Sequence, residues 1–320
     1  MSRSKLPIIG SAVLSALTVA LLMAQAPGGG AAKGKDGKDG KGKGPAAPQA
    51  LTVSTIKPGL FLITGDGGNS SVRVTKDGLI VTDTKNLGDA NYAQLAAKIK
   101  EISPLPVKYV FITHHHQDHS GNNGKFAEAG AKVIAHQGLL KQLETYAPAQ
   151  GKPAVPNTPY SGKNYKVKLG GVTVVGYHFQ PAHTGGDTIV HFPDLGVVQC
   201  GDVVVGIQPN IDFPFGGSGV TWLETLNKID KLKWDTLIPG HSAPNATTMS
   251  RAEFAEYKRK WEAVISRAEA EVKKGTPKEQ LLAAVKTDDL GWNINIAQWQ
   301  APARLDPFYA ELKAAADKKK

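Results

Sequence analysis

The chain reads as an α/β protein built in layers, and three observations predict this. Short β-branched and apolar runs alternate with helical patterns over most of the 320 residues. Several of those runs end in a tight turn carrying a histidine or an aspartate, the place where α/β folds hold ligands. From about residue 250 onward, cap signals and helical stripes replace the strands.

The elements justify themselves in order. Gly65-Asp66-Gly67-Gly68-Asn69 lacks the GxxxxGK[ST] pattern of a phosphate loop and reads as a hairpin turn overhanging a site. Residues 78–82 form a buried strand ending at Asp83, which is either a carboxylate orienting a ligand histidine or a turn residue. Tyr92, Leu95, Ala96, Ile99 and Ile102 recur at helical spacing. Residues 107–112 are a strand, and a helix is expected from about 123 to 129. His136 follows the strand-like residues 132–135, while His178 and His191 lie in β-type runs, and all three read as structural. His183 sits in a glycine-rich turn, Pro181-Ala182-His183-Thr184-Gly185-Gly186-Asp187, between two strands. The run 196–199 leads into Cys200-Gly201-Asp202; strand alternation would place Cys200 on the same side as Asp202, as a small buried residue. The strand 236–238 leads into Pro239-Gly240-His241-Ser242.

In the C-terminal part, Ser250-Arg251-Ala252-Glu253 and Thr276-Pro277-Lys278-Glu279 both read as capping boxes. Trp261, Val264 and Ile265, then Leu281, Leu282 and Val285, supply apolar stripes. Trp292, Trp299 and Phe308 are expected to pack on the sheets rather than line a cleft.

The chemistry concentrates in Thr113-His114-His115-His116-Gln117-Asp118-His119. A packed core gains nothing from adjacent groups that are costly to bury unpaired, so this density points to a metal. Zinc takes histidine nitrogen and aspartate oxygen, and a catalytic site leaves one position for water. On a tight loop His114 and His116 turn to one side together, so His115 is expected to face solvent or support the ligands from behind. His183, Asp202 and His241 share the arrangement of strand, turn and ligand type, and are the candidate partners.

These segments resemble the metallo-β-lactamase fold superfamily: the HxHxDH signature at His114–His119, then His183, Asp202 and His241 in that order, across residues 51–244. The resemblance implies a four-layer αβ/βα sandwich, here with a C-terminal helical extension. It also implies that His114, His116 and His183 hold one metal, that Asp118, His119 and His241 hold a second, and that Asp202 bridges them. Two Zn²⁺ ions are the expected cofactors, and iron or manganese could take their place. The implied reaction is hydrolysis of a lactone, ester, thioester or amide by a metal-bound hydroxide, with Asp118 as the catalytic carboxylate fixing its line of attack. Asp202 stands where true β-lactamases tend to carry cysteine or serine, which argues against the rival reading of an antibiotic-degrading enzyme. Two further rivals are a mononuclear iron persulfide dioxygenase and a non-catalytic metal-binding envelope protein. The loops at 65–71 and 206–219 would shape the pocket, and Ile211, Phe213 and Phe215 of the second either favour a partly hydrophobic substrate or pack on the core.

Domain organisation follows composition. Arg3 and Lys5 precede an apolar stretch at 7–24 and then Ala24-Gln25-Ala26, so residues 1–26 read as a signal peptide or an N-terminal anchor, with Pro27 disfavouring cleavage at that point. Residues 27–50 are a Gly/Lys-rich disordered linker, 51–249 the catalytic domain and 250–320 the helical extension. The expected location is exported, periplasmic or secreted. Residues 1–50 contribute a net +5 and Lys318 to Lys320 a further +3, which leaves +2 of the overall +10 for residues 51–317. The basic charge therefore belongs to the tails, and no nucleic-acid partner is expected. The expected partner is a small-molecule substrate; residues 7–24 and the basic tails are the parts suited to a membrane surface.

Overall fold

β-branched and apolar runs of the lengths expected for strands form two sheets in the computed structural model, which describes residues 49–318. Contacts divide the chain into Met1–Lys38 and Asp39–Lys320, and the described residues belong to the second unit. The expected signal or anchor segment, and nearly all of the expected linker, lie outside the described residues. Among the described residues no helix is long and apolar enough to cross a membrane.

The first sheet runs in chain order: β1 (Thr52–Lys57), β2 (Leu60–Thr64), β3 (Ser70–Thr75), β4 (Gly78–Thr82), β5 (Val107–Phe111), β6 (Lys132–His136) and β7 (Thr158–Tyr160). Its β1 to β4 pairings are antiparallel, and β4 to β7 are parallel. The second sheet holds β8 (Asn164–Leu169), β9 (Val172–Tyr177), β10 (Ile189–Phe192), β11 (Val197–Gln199), β12 (Thr236–Ile238) and β13 (Met249–Ser250), again as neighbours in order. Only β11 and β12 pair in parallel there.

Helices cover the outer faces. α1 (Asp89–Ile102), the short α2 (Gln117–Ser120), α3 (Asn123–Glu128) and α4 (Gln137–Thr145) accompany the first sheet. α5 (Gly219–Asp230), α6 (Arg251–Lys274), α7 (Lys278–Ala284), the one-turn α8 (Ala297–Gln300) and α9 (Pro302–Lys318) accompany the second. Strand periodicity explains the layering, because successive side chains point to opposite faces. On β4, Ile80 joins the core between the sheets with Phe111, Ile134, Val190 and Phe192, while Leu79 and Val81 join Leu95, Ile99 and Phe126 beneath the helices. On the other side Val198 and Leu237 pack with Trp222, Phe254, Trp261 and Phe308. The order is helices, sheet, sheet, helices, the predicted four layers with their C-terminal helices.

Two local expectations need correction. Ser250 and Glu253 do close the capping box at the start of α6, but no such box opens α7. Thr276 instead donates its hydroxyl to Glu271 Oε2 at 2.8 Å, so Pro277 becomes the residue before the helix. Cys200 does not share a side with Asp202, because the strand ends at Gln199 and Gly201, at φ +52°, starts a 3₁₀ turn. Cys200 joins the helix-side core with Val198 and Trp222, and Asp202 turns away from it. Trp292, Trp299 and Phe308 are buried in that same core, as packing residues.

Candidate metal centre

The parallel pairing of β4 with β5 brings their C-terminal ends to one edge, and β11 with β12 does the same for the second sheet. Asp83 and the 113–119 segment thus leave one sheet beside Asp202 and His241 leaving the other, with His183 arriving on the connection between β9 and β10. Backbone bonds lock the edges together: Thr188 N donates to Thr113 O at 2.7 Å, Asn69 N to Gly240 O at 2.7 Å and Gly206 N to His241 O at 2.8 Å. Gly240 has to be a glycine, since a Cβ there would collide with Asp202 Oδ1.

All seven expected ligand residues converge, in two sets. In the first, His116 Nδ1 lies 3.1 Å from His114 Nε2 and 3.0 Å from His183 Nε2. Asp202 Oδ2 stands 4.0 and 3.8 Å from the same two nitrogens. In the second, Asp118 Oδ2 lies 3.1 Å from His241 Nε2 and 3.5 Å from His119 Nε2, which are 3.2 Å apart. The other oxygen of Asp202, Oδ1, stands 3.2 Å from His119 Nε2 and 3.5 Å from His241 Nε2. Zinc bonds of about 2.0–2.2 Å in a tetrahedron place donors roughly 3.4 Å apart, so both sets have the dimensions of a metal shell. Asp202 Oδ1 is moreover a buried oxygen that accepts no hydrogen bond, a costly arrangement for a carboxylate with nothing to bind. The residues fit two divalent ions with Asp202 between them.

The sequence profile of the metallo-β-lactamase superfamily matches residues 63–241. The chain belongs to that superfamily. Curated relatives include the 2,4-dinitroanisole O-demethylase subunit alpha of Nocardioides sp. (strain JS1661), 26% identical over 67% of this chain and 63% of its own length. Metallo-beta-lactamase IND-1 of Chryseobacterium indologenes is 29% identical over 54% of this chain and 71% of its own length. The hydroxyacylglutathione hydrolase of Brucella anthropi is 28% identical over 46% of this chain, which spans only 50% of that enzyme. Among solved structures, the stereoselective inverting sec-alkylsulfatase Pisa1 from Pseudomonas sp. superposes with a TM-score of 0.61 at 15% identity, over 84% of this chain and 50% of that one.

In this superfamily member the ligand rings are held from behind. His119 Nδ1 donates to Asp83 Oδ2 at 2.8 Å, and Asp83 also accepts from the Thr113 amide and hydroxyl, both at 2.8 Å. Since the Thr113 hydroxyl gives its proton to Asp83, its oxygen accepts from His114 Nδ1 at 3.1 Å. His183 Nδ1 donates to Asn210 O at 2.6 Å and His116 Nε2 to Asp212 Oδ2 at 2.7 Å. Such bonds fix the tautomer that leaves the other ring nitrogen free for a metal. Of the two readings of Asp83, the structure shows the carboxylate against the histidine ring. Asp212, Asn210 and Thr113 escaped the sequence reading, because nothing in their spacing marks them.

Burial opposes protonation of His116, but its bond to Asp212 and that carboxylate's charge outweigh it and raise its pKa. His119 is raised further against the same burial by Asp118, Asp202 and Asp83, and His241 is raised by Asp202 and Asp118. His114 and His183 go the other way, pushed down by burial, His183 to about 4. Burial would raise Asp118 and Asp202, yet the surrounding histidines hold both below the usual carboxylate range.

Further residues around the centre complete the picture. His115 does not face solvent: its ring is fully buried against Tyr146 and Phe215, with centroids 4.7 and 4.5 Å away, and Asp212 Oδ2 lies 3.8 Å from its Nε2. Apolar rings on both sides draw it inward, and burial pushes its pKa down to about 2. The turn at 65–69 does overhang the centre: Gly68 N donates to Asp118 O at 3.0 Å, and a Cβ on Gly68 would collide with the His119 ring. Lys85, fully buried at φ +64°, donates to Gly68 O at 2.6 Å and Ile63 O at 2.8 Å, and burial lowers its pKa to about 7. His136, His178 and His191 stay apart from the centre; the first two stack at 3.6 Å and the third donates to Lys233 O.

Proposed function

We propose that the chain is a dinuclear zinc hydrolase, with His114, His116 and His183 holding one ion, Asp118, His119 and His241 the other, and Asp202 serving both. The observation that carries this is Asp202, whose two oxygens face one donor set each. Divalent ions held by these residues would supply Lewis acidity at the bond to be cut and a water acidic enough to act as a nucleophile near pH 7.

The chain's own residues supply the rest. Asp118 directs Oδ2 at His241 and His119, and its side chain is 32% exposed, so its second oxygen accepts a hydrogen bond from the incoming water and aims it. Asp83, Asn210 and Asp212 keep three ligand rings from rotating. Tyr146, with its ring centroid 6.1 Å from that of His116 and backed by Phe215, offers an apolar wall for the group next to the scissile bond.

A lactone, ester, thioester or amide fits an aspartate at 202, and the likeness to a hydroxyacylglutathione hydrolase supports the thioester arm. The likeness to IND-1 favours a second reading, β-lactam hydrolysis, against which Asp202 argues. The test is full-length, zinc-loaded protein with its metal content measured, assayed on a chromogenic cephalosporin and on a lactone, ester and thioester panel. A kcat/KM of about 10⁴ M⁻¹s⁻¹ or more identifies the substrate class. His116→Ala and Asp118→Ala with undiminished turnover would overturn the assignment, and two ions bound with no turnover on any class would leave a metal-binding protein. Iron in place of zinc in protein from its native host would turn the reading to oxidative chemistry. The same host, fractionated, tests export.

A further inference from the structure

Two of the three histidines in the first donor set take their orientation from one loop. His183 Nδ1 donates to Asn210 O and His116 Nε2 to Asp212 Oδ2, while Asp212 N donates back to His183 O at 2.9 Å. That loop, residues 206–218, is itself held by the C-terminal helices, beyond the residues matched by the superfamily profile. Arg304 on α9 donates through Nη1 to Asn210 Oδ1 at 2.7 Å and to Ile211 O at 2.5 Å. Glu311, two turns further on, accepts from the Ser218 hydroxyl at 2.6 Å and from Gly219 N at 2.8 Å. Between them Phe308 packs on Phe213, with ring centroids 6.0 Å apart. Ahead of α9, Asn293 and Gln208 exchange two hydrogen bonds, each of 2.8 Å.

The other histidine rings are held differently, and the loop meets the second set at the end away from Arg304, where Gly206 N donates to the main-chain oxygen of His241 at 2.8 Å. His119 rests on Asp83 and His114 on Thr113, both supplied by the first sheet, and α9 makes none of these bonds. We propose that α9 braces the first donor set alone, with Arg304 as a positioning residue that sets His183 and His116 through Asn210 and Asp212. The C-terminal extension would then tune the affinity of one metal ion and leave its neighbour untouched. This inference rests on the dinuclear metal centre proposed for the chain.

The test uses the full-length chain and zinc, with affinities read by competition against a chromophoric chelator and the metal-free melting temperature read alongside. His241→Ala retains the first donor set, and His183→Ala retains the second. Arg304→Gln placed in the His241→Ala background is expected to weaken zinc by about tenfold, the scale for losing an outer hydrogen-bonding partner. In the His183→Ala background the same change leaves zinc affinity as it was. Arg304→Lys, which keeps a donor near Asn210, recovers part of the loss. Equal weakening in both backgrounds, or none in either, overturns the proposal, as does a fall in metal-free melting temperature with unchanged affinities. Glu311→Gln, which loosens the far end of the loop, repeats the comparison if Arg304→Gln does not fold. A wild-type chain that binds no zinc defeats the metal reading itself, whatever α9 does.

Discussion

Replacing Asp83 by asparagine changes one oxygen to an amide nitrogen at the point where two ligand histidines are anchored. Asp83 Oδ1 accepts from the Thr113 amide, and Oδ2 accepts from both the Thr113 hydroxyl and His119 Nδ1. Asparagine keeps the shape but offers one acceptor. If its oxygen stays against the Thr113 amide, its NH₂ meets the His119 N–H. The ring then escapes by moving its proton to Nε2, the nitrogen that faces His241, Asp118 and Asp202. If the amide flips, it meets the Thr113 backbone N–H instead, and that donor cannot move. A buried hydrogen bond to a charged group contributes about 1.5–3 kcal/mol. Loss of an outer-sphere partner typically weakens metal binding by about 10–100-fold, or about 1.4–2.8 kcal/mol. The two figures agree, so Asp83→Asn is expected to weaken the ion held by Asp118, His119 and His241 by one to two decades. Zinc stoichiometry and chelator competition at pH 7 measure it. Two ions bound with wild-type affinity would show that Asp83 does not set the His119 tautomer.

Zinc binding should release protons and tighten as pH rises from about 6.5, the pKa of a free imidazole. The sign follows because carboxylates raise His116, His119 and His241 above that value in the metal-free chain, so zinc displaces protons that rising pH removes unaided. Calorimetry in two buffers of different ionisation enthalpy would detect the release, and a pH-independent affinity would contradict it. Gly68→Ala drives a methyl into the His119 ring and is expected to lower both the melting temperature and the zinc stoichiometry from two towards one. Lys85→Met leaves Ile63 O and Gly68 O without their donor, a cost of about 1–3 kcal/mol for each, measurable by urea unfolding. An unchanged midpoint would mean that water replaces the ammonium. Asp212→Asn removes a charged acceptor from His116 Nε2 and should weaken the first ion without moving the second, resolved by the same competition assay in single-site backgrounds.

Much of the fold was legible because each strand announces itself locally. The runs at 78–82, 107–112 and 236–238 combine β-branched density with a turn at the end, and they form β4, β5 and β12 within a residue. The spacing of Tyr92, Leu95 and Ile99 likewise reports α1 without reference to the rest of the chain. Local pattern misled where a tertiary competitor intervened. Alternation carried past Gln199 put Cys200 beside Asp202, but a glycine at φ +52° had already ended the strand. Thr276 looked like a helix cap until Glu271, a turn back along α6, took its hydroxyl.

The ligand residues and the residues that hold them differ in how they write themselves into a sequence. A metal needs several donors converging within a few ångströms, so several ligand residues crowd into one loop and leave a signature such as that at 114–119. A supporting acceptor needs only to be one oxygen at the right place, and a main-chain carbonyl serves as well as a carboxylate. Asn210 supports His183 through its backbone, so no residue type there is demanded by that bond. Asp212 lies 96 residues from the His116 it holds, in a loop otherwise notable for glycine and phenylalanine. Asp83 was visible only because it follows a strand whose end pointed at a ligand segment. The candidate metal centre is therefore recognisable from its inner residues, while what distinguishes it in this chain, Asp83 behind His119 and the α9-held loop behind His183 and His116, exists only once the layers are assembled.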